Sequence, residues 1–131
     1  MNIRNKSYIL FSSLGMIFFS IFGSVLPSSS QTQPNCGRAS TTIESNRCER
    51  LAYESADREL NSVWRRVISQ LNGNEKEDLI DRQLAWIEER DTTCDRETAI
   101  SIRGSGYRGF LSACLRRVTM ERTEILREYL R

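Results

Sequence analysis

The stretch that decides the fold is TTIESNRCERLAYESADRELNSVWRRVISQLNG, residues 41–73. Within it Cys48, Leu51, Ala52, Ala56, Leu60, Val63, Trp64, Val67, Ile68 and Leu71 recur at steps of three and four. That spacing lays apolar side chains along one face of an α-helix. Thr41-Thr42-Ile43-Glu44 has the form of a capping box, in which a hydroxyl and a carboxylate satisfy free amides at the helix start. Asn72-Gly73 supplies a residue able to take the left-handed conformation that ends a helix. The stretch therefore predicts one long amphipathic helix, and a helix of this kind needs neighbours to cover its stripe.

Toward the C-terminus the neighbours are legible. Asn74 is expected to cap a second helix over Glu75–Glu97, with Glu75, Glu77 and Asp78 set favourably against its N-terminal dipole. Its stripe is Leu79, Ile80, Gln83, Leu84, Trp86, Ile87, Arg90 and Cys94. So short a connection makes the first two helices an antiparallel hairpin. Residues 102–109, with Gly104, Gly106 and Gly109, read as a loop. A third helix follows, with Phe110, Leu111, Cys114, Leu115, Val118, Arg122, Ile125, Leu126 and Tyr129 on its apolar side. No segment alternates with a period of two, so strands are not expected. The fold class is all-α: a three-helix up-down-up bundle over residues 41–131, with a long antiparallel helical hairpin and two disulfides.

Toward the N-terminus, residues 31–40 are polar and read as an extended lead-in. Residues 1–30 have the zones of a secretion signal: Arg4 and Lys6, an uncharged run over 8–26, then Pro27 and Ser28-Ser29-Ser30, with cleavage expected after Ser30. The run is close to the length of a membrane span. Ser12, Ser13, Ser20, Ser24, Gly15 and Gly23 dilute it, which favours a cleaved signal over an anchor. The expected location is secreted or periplasmic, with no membrane attachment after cleavage. Arg4 and Lys6 also account for the whole net charge of +2, since the rest of the chain balances 17 basic against 17 acidic residues. A neutral domain has no long-range attraction for nucleic acid, and that partner is disfavoured.

Cys36, Cys48, Cys94 and Cys114 are the only cysteines of the 131-residue chain, and all lie beyond the leader. An even number in an oxidising compartment implies two disulfides. A zinc site would need ligand spacings that are missing, since there is no Cys-x-x-Cys pair and no histidine,. No metal and no cofactor are expected. Three pairings are possible, and helix geometry discriminates. At about 1.5 Å of rise per residue, Cys94 on the returning helix reaches the level of Ala56, short of Cys48. Cys48 lies beside the incoming segment with Cys36. Cys36–Cys48 and Cys94–Cys114 are the favoured bridges.

The absence of histidine removes the commonest general base. Gly104-Ser105-Gly106 is only a loose likeness of a nucleophile elbow, with no base to activate it. An enzyme is not expected. Polar residues on the apolar stripes are more informative: Asp57, Asn61, Gln83, Arg90, Thr119 and Arg122. Buried polar groups need partners, so these six are expected to form a structural network, for example through Asp57 with Arg90 or Arg122.

Several of these segments resemble one family. They are Ala56-Asp57-Arg58-Glu59-Leu60-Asn61; Gln83-Leu84-Ala85-Trp86-Ile87 with Arg90-Asp91 and Cys94; Gly104-Ser105; and Ala113-Cys114-Leu115 with Thr119, Arg122 and Leu126. Together they resemble the LprI-type lysozyme-inhibitor family, small exported bacterial domains, over nearly all of residues 36–126. Two departures are an aromatic position usually filled by Tyr that is Trp64 here, and the lack of a lipid-attachment motif before Cys36. The resemblance implies lysozyme, or another muramidase, as partner. Such enzymes keep two carboxylates in a cleft, and a protruding loop with Arg103, Ser105, Tyr107 and Arg108 is the candidate partner-binding element. The alternative is an envelope module that binds a protein or peptidoglycan without inhibition. Nothing in the sequence sets an oligomeric state.

Overall fold

The computed structural model describes residues 34–131; the predicted leader and residues 31–33 lie outside the described residues. Three helices carry the chain: α1 (Thr42–Gln70), α2 (Gly73–Thr98) and α3 (Tyr107–Glu128). Among the described residues there is no strand, and no helix is long and apolar enough to cross a membrane. The lead-in is not wholly extended. Cys36–Arg38 forms a single 3-10 turn, tied to α1 by the Cys36–Cys48 disulfide.

The capping box at the start of α1 is complete. The Glu44 amide donates to Thr41 Oγ1 at 3.2 Å, while the Ser40 and Thr41 amides donate to Glu44 Oε2 at 2.9 and 3.1 Å. At the other end Gly73 adopts a φ of +54°, a conformation only glycine takes at little cost. The chain therefore reverses within Leu71-Asn72, and α2 begins before the expected Glu75. Its N-cap is Asn72 rather than Asn74, with no side-chain capping bond.

The bundle is up-down-up, with α2 running back against α1 and α3. The hairpin partners α1 and α2 are nevertheless not the tightest pair. The nearest backbone packing joins α1 to α3, which run parallel, and α2 packs mainly on α3. The α1–α3 register is marked by Arg116–Glu49 at 3.3 Å and Arg127–Glu59 at 2.7 Å. Small residues explain the approach: Ala52 and Ala56 of α1 border Thr123 of α3, and Gly109 sits directly against Asn46. Trp64 of α1 and Trp86 of α2 are bulkier and pack against the core, and interaxial distance follows side-chain size at the contact.

Leu60, Val63 and Val67 of α1, Leu79 of α2 and Leu126 of α3 form the buried core. Trp64, Ile68, Leu71, Trp86 and Leu130 close around it. Burying one such side chain contributes about 1.5–3 kcal/mol relative to leaving it exposed. These residues lie in the half of the bundle that holds the α1–α2 turn. The opposite half is joined by the second disulfide, Cys94–Cys114, and by the Arg117–Glu97 ion pair at 2.9 Å. The α2–α3 loop lies at that end.

Candidate functional site

The loop begins where α2 runs out. Thr98 turns its hydroxyl back on the Cys94 carbonyl (2.7 Å), and Ser101 does the same to Thr98 (2.8 Å). Ala99–Ser101 then forms a 3-10 turn. The Gly104 amide donates to the Ser101 carbonyl at 2.8 Å, and the Tyr107 amide to the Gly104 carbonyl at 3.1 Å. Consecutive turns of this kind pair several of the loop's backbone groups with one another.

Asn46, in the first turns of α1, fastens the loop to the bundle. Its side-chain amide donates to the Ser105 carbonyl at 2.7 Å, and its Oδ1 accepts the Gly109 amide at 3.0 Å. A Cβ on Gly109 would stand 2.5 Å from Asn46 Oδ1, so this contact requires glycine. Asn46 escapes a reading of the sequence because the apolar stripe starts at Cys48. The available signal was a poor helix former placed three residues before Glu49, on the same line that meets α3.

The four residues expected in a protruding loop are therefore divided. Arg103 and Ser105 are in the loop and exposed. Tyr107 and Arg108 belong to the first turn of α3, which starts earlier than the expected Phe110 because the Gly106 carbonyl already accepts the Gly109 and Phe110 amides. Tyr107 is half-buried and Arg108 exposed. Arg108 shares a shallow depression with Ile43, Arg47 and Arg50 of α1.

The six polar residues on the stripes likewise do not form one network. Arg122 Nε donates to Gln83 Oε1 at 2.9 Å, joining α3 to α2. Its guanidinium lies 5.7 Å from the centroid of the Trp86 ring, and that of Arg90 lies 5.2 Å from it. Both distances fall in the range of cation–π attraction. Burial pushes the Arg122 guanidinium below its ordinary pKa, opposed by Tyr129 and aided by Arg82. Arg90 pairs with Asp91 at 2.7 Å rather than with Asp57. Asp57 is bound within its own helix, where Asn61 Nδ2 donates to its carboxylate at 2.9 Å and to its carbonyl at 2.8 Å. Asn61, one turn along the same helix, is the partner Asp57 takes. Thr119 is fully buried, and its hydroxyl has no hydrogen-bond partner among the described residues. Tyr53 faces the same side of α1, and burial raises its phenol against the opposing charge of Arg90.

Among the described residues no group of three or more His, Cys, Asp or Glu could hold a metal ion. Fold and site together define a small helical domain, stapled by two disulfides, that presents one braced loop. The chain belongs to a family with that build: residues 34–126 match the family model described as lysozyme inhibitor LprI. It is also similar to an uncharacterized protein of Rhizobium meliloti (strain 1021), 31% identical over 111 residues that cover 75% of this chain and 80% of the relative. No solved structure matches. The family is one of inhibitors rather than enzymes, and the two disulfides fit a location outside the cytoplasm.

Proposed function

We propose that the protein is an exported inhibitor of lysozyme-like muramidases that occludes the substrate cleft with the α2–α3 loop. The observation that carries this reading is the placement of Arg103 and Ser105 in the open on a loop braced by Asn46 and rooted on the Cys94–Cys114 bridge. Retaining glycosidases hold their two carboxyl groups about 5–5.5 Å apart across the scissile bond. A guanidinium can pair with such carboxylates through forked, charge-assisted hydrogen bonds. Among the described residues Arg103 has no acidic partner of its own, whereas Arg116, Arg117 and Arg127 are engaged. Bracing the loop before binding reduces the ordering cost of association. Export follows from the leader read at residues 1–30, and the disulfides accord with it.

The test is titration of the purified protein into cell-wall clearing assays with several lysozyme types. Inhibition of at least one type is expected. The triple variant Arg103→Ala/Ser105→Ala/Arg108→Ala should weaken it by about tenfold or more while far-UV circular dichroism stays unchanged. Absence of inhibition by the wild type at large molar excess would remove the reading and leave an envelope-binding module. Undiminished potency of the triple variant would remove the loop as the inhibitory element.

A further inference from the structure

Two isoleucines of the same loop have no structural employment. Ile100 is 99% exposed and Ile102 63% exposed, on a backbone closed by the Ile102 amide to the Ala99 carbonyl (3.3 Å) and the turns that follow. Phe110, at the loop's return into α3, is 60% exposed. Scattered apolar residues on a surface are ordinary, but these two isoleucines stand two residues apart on one hydrogen-bonded turn, next to the exposed Arg103. Arg103, the next residue along the chain, has no ion pair among the described residues.

We infer that Ile100 and Ile102 are the apolar anchors of partner docking, and that they seat on the apolar wall of a concave, carboxylate-bearing protein cleft while Arg103 meets its acids. This rests on the cleft-occlusion reading and adds the residues that set affinity. Interface energy concentrates in a few desolvated side chains surrounded by polar contacts that exclude water. Rim charges act mostly on the rate of encounter and on specificity. An aliphatic side chain held in the open by hydrogen-bonded turns loses little freedom when it is buried, and all its apolar surface is available to the partner. The acidic character of the partner follows from Arg103, which adjoins Ile102 and has no ion pair of its own among the described residues. A concave protein is favoured over a lipid surface by the small apolar area of the loop and the charge balance of the domain, since interfacial binding relies on a broad apolar face and net positive charge.

The experiment uses the mature protein and a lysozyme that the wild type inhibits. Ile100→Ser/Ile102→Ser should raise the inhibition constant by about tenfold or more with an unchanged melting midpoint. Leu84→Ser, which alters an exposed apolar residue on α2, should stay within about twofold, because side chains outside the energetic centre contribute little. In parallel, flotation with vesicles of phosphatidylglycerol and phosphatidylcholine should recover no protein. Equal potency of the isoleucine variant and the wild type would overturn the inference and leave cleft occlusion standing. Flotation of the wild type that the isoleucine substitutions abolish would overturn it in favour of a membrane. A wild type inert toward every lysozyme would sink the underlying reading and this inference with it.

Discussion

The two ends of the bundle are held together by different physics. Around the α1–α2 turn, Leu60, Val63, Val67, Leu79 and Leu126 bury one another, and cohesion there is apolar. At the opposite end the ties are the two disulfides, the Asn46 clamp and the Arg117–Glu97 and Arg116–Glu49 pairs. An end closed by covalent and polar ties has no need to bury its own large apolar residues. That leaves Ile100, Ile102 and Phe110 uncommitted beside Arg103. The difference teaches that one end is held by apolar burial and the other by covalent and polar ties, which leave large apolar residues exposed there.

The largest effects should come from breaking each end with its own kind of change. Leu126 has no exposed surface, and Leu126→Ala is expected to cost about 2–5 kcal/mol through lost burial and the cavity left behind. For a domain of this size each kcal/mol lowers the melting midpoint by roughly 4–8 °C. Cys94→Ser/Cys114→Ser should cost about 2–4 kcal/mol, mainly by releasing the unfolded chain. The two variants should differ in where they loosen the native state. Amide exchange in Leu126→Ala should rise throughout the helices, whereas in the cysteine variant it should rise first over residues 98–110. Identical exchange maps would erase the distinction between the ends.

A smaller effect tests the polar clamp alone. Asn46→Ala removes two hydrogen bonds, one to the loop at Ser105 and one to the first turn of α3 at Gly109, and the net loss should be about 1–2 kcal/mol. Protection of the Gly109 amide should fall well beyond the change in global stability, and inhibitory potency should fall with it, since the loop would no longer be set before binding. Potency untouched by Asn46→Ala would mean that loop shape is not what the partner reads.

How much of this was legible in the sequence divides along the same line. The apolar end was written in three- and four-residue spacing, and Leu60, Val63, Val67, Leu79 and Leu126 all stand on the stripes read from it. The disulfide pairing was legible too, because helix rise makes it a question of length. The other end was not, since polar ties depend on which helix faces which. The short turn pointed to α1 and α2 as the intimate pair, while glycine, alanine and threonine at the α1–α3 contact decided otherwise. The anticipated reach of Asp57 to Arg90 or Arg122 gave way to Asn61, one turn along the same helix, and Asn46 went unnoticed. The loop is shorter than residues 102–109: three glycines read as a loop, whereas Gly106 is the N-cap of α3 and Gly109 lies in its first turn.

The smallest expected effect concerns acid, and it acts on one end only. Glu44 is held below its ordinary pKa first by the Ser40 amide, then by the Thr41 amide and hydroxyl. A carboxyl that titrates lower in the folded than in the unfolded chain contributes stability that is complete above the unfolded pKa and is lost as pH falls through the folded one. The melting midpoints of wild type and Glu44→Ala should therefore differ at neutral pH and converge as the solution is acidified below the normal glutamate range. Leucine and valine at the core end have nothing to titrate. Fraying should then begin at Ser40–Glu44, next to the Cys36–Cys48 bridge, with exchange around Leu60–Val67 unaffected over the same interval. A gap between the two proteins that persists unchanged into strong acid, or one that closes as pH rises, would show that the carboxylate is not what secures the start of α1.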